Sequence, residues 1–327
     1  MRTVAALLLC GVLAAGCSAG DATDATTAPE PSSPATPPSL PVESGAPDPR
    51  PSSPNPAVDD GACRDEPTGP EEFAYATWPG TSPNLTSLDV YLPAGCGPVP
   101  AVVWVHGGGW RRGDKALGSV DGKVRLANEL GFALVAVNYR LSAEGAGVLW
   151  PDHGDDVAAA LAWLRTEGPD LGIDPNRLAL LGHSAGAHLV AVAGTDPDLL
   201  TRNGADPAAV RCVVVLDSAS YTLSADNPLH ANAFGTDPEV LAGASPLTLV
   251  ERNGAPGAEF LVVAQGRALR LATQRTLADA ITAGDGTATF VDANPYDHNG
   301  VSAAVGDPTD TIVTPAIRDL LVPCLAP

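Results

Sequence analysis

The sequence predicts an α/β domain in which a mostly parallel, twisted sheet carries helices on both faces. Apolar, strand-like runs alternate with helix-length segments, a pair of antiparallel strands comes first, and no internal repeat interrupts this order. Residues 132–137, 157–163 and 178–181 show the alternation as strand, helix and strand. A helix between two strands returns the chain to the end of the sheet at which the first strand began. Most strands are therefore expected to run parallel.

The elements can be assigned in chain order. Residues 73–78 and 88–92 favour strands, and a short link containing Pro79 and Gly80 joins them, which predicts an antiparallel N-terminal hairpin. The roughly 265 residues from Cys63 onward are enough for one large domain with a substantial core. Later strands are predicted at 101–105, 132–137, 178–181, 213–216, 259–266 and 288–291, with helices between them.

A sharp turn with a serine at its apex follows one of the buried strands. The run 177–181 leads into Gly182-His183-Ser184-Ala185-Gly186, and a helix of small residues begins directly afterwards. Side chains at the two glycine positions would crowd the turn against neighbouring backbone. The turn is therefore expected to hold Ser184 out of the sheet with its hydroxyl exposed, as a nucleophile requires.

A glycine-rich loop follows another buried strand, at His106-Gly107-Gly108-Gly109-Trp110. Successive glycines allow the backbone to approach a ligand closely and to turn its N–H groups toward it. The tetrahedral intermediate of acyl transfer carries an oxyanion that needs such donors, so the loop is predicted to bind one. Trp110 and the later Trp150 either line a substrate pocket or pack in the core, and the sequence leaves both roles open.

One of the six histidines occupies the position expected of a general base. His298 lies in Tyr296-Asp297-His298-Asn299-Gly300, directly after the predicted strand 288–291, at the sheet edge where catalytic side chains collect. The other histidines are assigned to the two motifs (His106, His183), to packing in the helix after Ser184 (His188) and to polar loops (His153, His230). His298 is therefore the predicted base.

Together these motifs resemble the α/β-hydrolase superfamily, in the esterase branch that carries H-G-G-G-W before G-H-S-A-G. Within that branch the chain is most similar to lipase and esterase relatives that include feruloyl esterases and arylformamidases. The resemblance runs from about residue 73 to about residue 321 and implies an α/β-hydrolase fold without a metal or organic cofactor. It also implies Ser184 as nucleophile, His298 as base, and the backbone N–H groups of Gly108, Gly109 and Ala185 as an oxyanion hole.

One position departs from the family pattern. The acid of the triad usually follows the seventh strand in a G-x-x-D setting, but here Leu269 stands at that position and the next carboxylate is Asp279. Loss of the acid typically lowers kcat by about 10⁴. Either another carboxylate replaces it, or the enzyme is slow.

Three aspartates are candidates for the missing acid. Asp217 ends the predicted strand 213–216, one strand over at the same edge of the sheet, where some lipases of this fold carry their acid. Asp292 ends the strand 288–291, and Asp297 is the least favoured because adjacent side chains diverge from His298. Asp217 is the preferred candidate, with a turn-forming carboxylate as its alternative role.

The N-terminal residues predict export and a lipid anchor. Residues 1–16 combine Arg2 with an apolar run too short to span a bilayer, as in a signal peptide. The small residues before Cys17 resemble a bacterial lipobox, which would make Cys17 the lipidated first residue of the mature protein. Residues 17–62 are rich in Pro, Ser, Thr and Ala and predict a disordered tether. The domain at 63–327 is then expected outside the cytoplasm, anchored to the bacterial cell membrane.

Four cysteines remain after Cys17 and the signal peptide. An even number in an exported protein predicts two disulfides, for which three connectivities are possible. The expected positions of the strands and the last helix favour Cys63–Cys96 and Cys212–Cys324.

Composition and motifs together predict a serine hydrolase of carboxylic esters with short-chain or aromatic acyl groups. A formal net charge of −20 opposes binding to nucleic acid and to anionic lipid surfaces, so the lipid anchor is the expected membrane contact. The expected partner is a small-molecule ester, and the expected state is a monomer. The alternatives are an amidase of the arylformamidase type, a non-catalytic binding protein on a hydrolase scaffold, and an acyltransferase.

Overall fold

The computed structural model describes residues 63–143 and 145–327. The predicted signal peptide, the lipidated Cys17 and the tether at 17–62 lie outside these residues and stay predictions. Within the described residues, no helix has both the length and the apolar character needed to cross a membrane.

An eight-stranded mixed sheet forms the centre of the domain. Its strands are β2 (Thr68–Ala74), β3 (Ser87–Leu92), β5 (Val99–Val105), β6 (Ala133–Val137), β7 (Ile173–His183), β8 (Val210–Leu216), β9 (Glu259–Ala264) and β10 (Ala288–Asp292), while β1 (Cys63–Arg64) and β4 (Gly95–Cys96) form a separate antiparallel pair. The order across the sheet is β10-β9-β8-β7-β5-β6-β3-β2. The six strands from β10 to β6 run parallel, and β3 and β2 are antiparallel at one edge. This is the predicted α/β-hydrolase architecture, with an antiparallel strand pair at its N-terminus.

Ten helices connect the described strands and cover the sheet. They are α1 (Val120–Leu130), α2 (Asp152–Glu167), α3 (Ala185–Thr195), α4 (Pro197–Arg202), α5 (Pro228–Phe234), α6 (Pro238–Gly243), α7 (Pro246–Asn253), α8 (Ala268–Ala283), α9 (His298–Ala304) and α10 (Val313–Cys324). Every residue of β5 and β6 is buried, because helices pack on both faces of these strands. Alternate residues of β5 belong to two separate apolar clusters, one on each face of the sheet.

The prediction for the first strand was wrong in its position. The observed strand is Thr68–Ala74 and not 73–78, because the chain already bends at Tyr75. It then turns after Trp78, whose carbonyl accepts the Thr81 N–H at 3.1 Å. The strand β2 is an edge strand that leaves nearly all of its side chains exposed, so its sequence carries no apolar alternation. The pairing of β2 with β3 is antiparallel, as predicted.

Both predicted disulfides are present. Cys63–Cys96 links the paired strands β1 and β4, and Cys212–Cys324 links the beginning of β8 to the last residue of α10. Of the three possible connectivities, the structure therefore has the one that the expected positions of the elements favoured.

Candidate active site

Ser184 occupies a strained turn between β7 and α3. Its backbone angles are φ 56° and ψ −116°, a conformation that L-residues rarely adopt. A Cβ added to Gly182 would come within 2.3 Å of the Gly186 carbonyl oxygen, and one added to Gly186 within 2.1 Å of the Val105 oxygen. The two glycines therefore permit the tight packing that holds Ser184 at the end of the sheet, as the sequence predicted.

His298 contacts both Ser184 and Asp217. Its Nε2 lies 3.0 Å from the Ser184 Oγ, and its Nδ1 lies 2.5 Å from Oδ2 of Asp217. An ionised carboxylate only accepts hydrogen bonds, so Nδ1 carries the proton and donates it, which leaves Nε2 free to accept from the Ser184 hydroxyl. The side chain of His298 is 43% exposed, whereas that of Asp217 is fully buried.

Three side chains besides His298 contact the Asp217 carboxylate. Its Oδ2 accepts from the Gln265 side chain at 2.8 Å, and its Oδ1 accepts from the Gln274 side chain at 2.8 Å. The Arg270 guanidinium lies 3.0 Å from Oδ1. Burial alone would raise the pKa of Asp217, but the hydrogen bonds from His298, Gln265 and Gln274 and the charge of Arg270 hold the pKa well below its usual range. The carboxylate is therefore ionised throughout the neutral range.

The other two candidate acids do not contact the His298 ring among the described residues. The Oδ1 of Asp292 accepts from the backbone and side chain of Asn294, at 3.0 and 2.8 Å. Asp297 precedes α9 and caps it, with its Oδ1 accepting the Gly300 N–H at 2.6 Å. Leu269 lies in the first turn of α8 and is 82% exposed. The structure thus brings Asp217, and neither alternative, to the imidazole.

Sequence reasoning missed the glutamine and arginine donors around Asp217. Gln274 had a detectable signal, because it shares the spacing of the buried residues Leu277, Ala278 and Ile281 on one face of α8. A polar residue at a core position of a helix indicates a buried partner. Gln265 and Arg270 follow β9 in a loop and a helix start, and no pattern in the sequence distinguishes them.

The glycine loop after β5 lies against Ser184. A Cβ at Gly107 would be 3.0 Å from the Ser184 Cβ, and Gly108 and Gly109 have φ values of 126° and 62°. A Cβ at Gly108 would overlap the Arg112 carbonyl oxygen, so that position requires glycine. Ala185 follows Ser184 as the first residue of α3, where helix N–H groups have no intrahelical partner. The loop and this helix end therefore flank the Ser184 hydroxyl.

Two cavities meet at Ser184. The larger lobe has a volume of about 870 Å³ and is bordered by Gly108, Arg111, Arg112, Asp114 and Leu117 among others. The smaller lobe, of about 430 Å³, is bordered by Ala185, Asp217, Ser218, Ser220, Asn227, His230 and Arg270 among others. Both lobes reach Gly109, Ser184, Leu229 and His298, so Ser184 and His298 lie at the junction.

Trp110 has both of the roles that the sequence left open. It is buried and its ring meets those of His188, His230 and Phe234 edge-on, with centroids 5.1–5.9 Å apart, and it also borders the smaller lobe. Trp150 packs against Phe234 at 5.7 Å and borders neither lobe.

The assignment of two histidines to polar loops was wrong. His153 lies in α2 and His230 in α5, and both are buried, because each ring joins the aromatic cluster around Phe234 and Trp110. His183 is structural, as expected: its Nε2 donates to the His298 carbonyl oxygen at 2.7 Å. Burial, followed by the neighbouring His298, lowers the pKa of His183 to about 4, so its ring stays neutral.

The chain is similar in sequence to a known family and to named esterases. The BD-FAE family model matches residues 88–264, just over half of the chain. "Esterase LipC" of Mycobacterium tuberculosis is 30% identical over 182 residues, which are 51% of this chain and 43% of that protein. "Probable carboxylic ester hydrolase LipM" of the same organism is 38% identical over 102 residues, which are 31% of this chain and 23% of that protein. The matched regions therefore span less than half the length of these curated relatives.

A solved structure agrees in fold. The apo form of Thermogutta terrifontis esterase 2 superposes with a TM-score of 0.62 at 22% identity, covering 79% of this chain and 97% of that one. The family match, the strand order and the Ser184 turn lead to the same assignment. The chain belongs to the BD-FAE family, an α/β-hydrolase esterase family.

Proposed function

We propose that this protein is a serine carboxylesterase that hydrolyses esters with short-chain or aromatic acyl groups through an acyl-enzyme. The observation that carries the proposal is the pair of hydrogen bonds linking Ser184, His298 and Asp217. Ser184 Oγ would attack the ester carbonyl while His298 Nε2 takes its proton. Asp217 would keep the imidazole in the required tautomer and stabilise its protonated form.

The remaining steps follow from the same groups. The backbone N–H groups of Gly108, Gly109 and Ala185 would donate to the oxyanion of the tetrahedral intermediate. His298 would then protonate the departing alcohol, and in the second half-reaction it would activate water to release the acid and regenerate Ser184. No residue outside this set is required for the bond changes.

Relatives and local structure support this proposal. LipC and LipM are named as an esterase and a carboxylic ester hydrolase. Thermogutta terrifontis esterase 2 has been solved with butyrate bound and in a form phosphonylated by sarin. Between β8 and β9 the chain has only the short helices α5, α6 and α7, which suits a modest cover over the site and small acyl groups.

Burst kinetics with 4-nitrophenyl acetate and butyrate test the proposal. Wild type is expected to release about one equivalent of 4-nitrophenol rapidly and then turn over slowly, because the acyl-enzyme accumulates with an activated ester. Ser184→Ala is expected to lose the burst and labelling by a fluorophosphonate. As a matched control, Ser218→Ala alters a neighbouring hydroxyl outside the triad and should keep the burst.

The same assay separates the alternatives. Absence of both burst and fluorophosphonate labelling in folded wild type would contradict the esterase and favour a binding protein. A kcat/KM higher for aryl formamides than for matched aryl esters would favour an amidase. Product formation only with a sugar acceptor present would favour acyl transfer.

We also propose that the chain is exported, lipid-anchored through Cys17 at the bacterial cell membrane, and monomeric. Two disulfides in the domain support an oxidising location. In a producing bacterium, wild type is expected in the membrane fraction and labelled by an alkyne fatty acid, whereas Cys17→Ala should be unlabelled. Equal labelling of the two would contradict the anchor, and a dimer mass in light scattering would contradict the monomer.

A further inference from the structure

Two exposed arginines border the larger lobe. Arg111 and Arg112 come directly after the glycine loop, and the Arg111 N–H donates to the Gly108 oxygen at 3.3 Å. Both residues are exposed, and neither makes an ion pair with any residue that the structure describes. Both residues thus border the cavity that Ser184 and His298 also border.

Two other cations near the site, Lys115 and Arg270, pair with carboxylates. Lys115 Nζ lies 2.6 Å from a carboxylate oxygen of Glu72 and 3.3 Å from one of Asp89, and Arg270 pairs with Asp217. Arg111 and Arg112 are therefore the cations bordering the larger lobe that have no carboxylate partner among the described residues.

Asp114 is the carboxylate that borders this lobe among the described residues. Its Oδ1 accepts from the Ala116 N–H, and its Oδ2 accepts from the side chains of Asn84 and Asn138 at 2.8 and 3.1 Å. Burial alone would raise the pKa of Asp114, but these hydrogen bonds hold it below its usual value, so the group is ionised. Burial also lowers the pKa of His106, so that ring is neutral. Two guanidinium groups and one carboxylate thus border the lobe, so positive charge exceeds negative charge there.

We propose that Arg111 and Arg112 bind an anionic group of the substrate, so that the preferred esters carry a carboxylate away from the bond that is cleaved. This inference rests on the proposed esterase function and adds its substrate class. A guanidinium donates two parallel hydrogen bonds to a carboxylate, and a cleft of low dielectric strengthens the attraction. A lobe of about 870 Å³ leaves room for such a group beyond a short acyl chain.

Two pairs of esters that differ only in charge test this inference. In the first pair the alcohol side differs: 4-acetoxybenzoate carries a carboxylate and 4-acetoxybenzamide a neutral amide. In the second pair the acyl side differs: 4-nitrophenyl hydrogen adipate carries a carboxylate and 4-nitrophenyl hexanoate does not. The measured quantity is the ratio of kcat/KM, charged over neutral, for wild type and for Arg111→Gln/Arg112→Gln. Arg211→Gln, at the exposed start of β8, removes an arginine far from the lobe and is the matched control.

For at least one pair of esters, the ratio of kcat/KM, charged over neutral, is expected to be at least tenfold lower in the double variant than in wild type. Arg211→Gln should leave this ratio at the wild-type value. The wild-type ratio should also fall as sodium chloride rises from about 20 mM to about 500 mM, because salt screens the attraction. If wild type hydrolyses the neutral esters and both ratios are the same in the double variant, this inference is wrong and the esterase function stands. If wild type hydrolyses none of the four esters and shows no burst, the proposed function itself is wrong.

Discussion

The loops after β8 and β9 are adjacent at one edge of the sheet but contribute differently to the site. The loop after β8 provides Asp217, whose carboxylate is fully buried and contacts His298. The loop after β9 has Leu269 at the usual position of the acid, and this side chain is 82% exposed. In its place the β9 loop and α8 provide Gln265, Arg270 and Gln274, which all contact Asp217.

In the proposed triad, the acid follows β8 and the side chains that hold it follow β9. Parallel strands end at the same edge, so a carboxylate after β8 reaches the imidazole as readily as one after β9. The segment after β9 instead supplies side chains that contact Asp217. Four predictions test this division of roles, from the largest expected effect to the smallest.

Asp217→Asn is expected to lower kcat at least 100-fold with little change in KM. The amide cannot stabilise the imidazolium and favours the wrong tautomer of His298. Steady-state kinetics with 4-nitrophenyl butyrate measure the effect, and Asp292→Asn is the matched control, expected to stay near wild type. A near-wild-type rate for Asp217→Asn together with a large loss for Asp292→Asn would reverse the assignment.

Gln274→Leu is expected to lower kcat about tenfold without loss of thermal stability. Gln274 is fully buried, and its Oε1 has no hydrogen-bond partner among the residues that the structure describes. Leucine therefore removes a desolvation penalty together with the donor to Asp217. Thr276→Val, at an exposed position of the same helix, is the control. If kcat stays at the wild-type value, or falls only in proportion to a lost folded fraction, Gln274 does not position the acid.

The pH dependence of stability should differ between wild type and Asp217→Asn. The pKa of Asp217 is depressed in the folded state, so its stabilising contribution is complete above its unfolded pKa and is lost as the pH falls toward the lower folded value. The difference in unfolding free energy, wild type minus variant, is expected to shrink by about 1 kcal/mol between pH 6 and pH 3. Urea unfolding at the two pH values measures it, and a constant difference would contradict the depressed pKa.

Leu269→Asn is expected to change kcat/KM less than twofold, because the side chain is mostly exposed and does not contact His298. For the same reason, adding Leu269→Asp to Asp217→Asn should restore little activity. Recovery of activity in this double variant would show that the usual position after β9 can still serve the imidazole.

The sequence predicted the features that depend on local pattern or chain order. The glycines around Ser184, the loop after β5 and the position of His298 follow from steric rules and from strand order, and the structure brings them together. Both disulfides could be paired from the expected positions of their elements. The exposed edge strand β2 was misplaced, because such a strand has no apolar alternation to detect.

The acid could only be ranked among candidates, because its identity depends on contacts between distant segments. Asp217 and Gln274 are 57 residues apart, and their hydrogen bond has no local signature beyond one polar residue on the buried face of α8. The burial of His153 and His230 depends likewise on an aromatic cluster that the fold assembles from α2, α5 and the glycine loop. Contacts of this kind join residues that are far apart in the sequence. They determine roles that the spacing of residues along the sequence does not reveal.

The position of Cys63 has a consequence for how the cavity at Ser184 is reached from solution. The neighbouring Arg64 donates to the Leu171 oxygen at 2.6 Å, just before β7 begins, whereas Ser184 follows the other end of β7. The first described residues, Cys63 and Arg64, therefore lie near the end of the sheet opposite Ser184. An attachment made to the domain at this end of the sheet would leave the cavity at Ser184 open to dissolved small molecules.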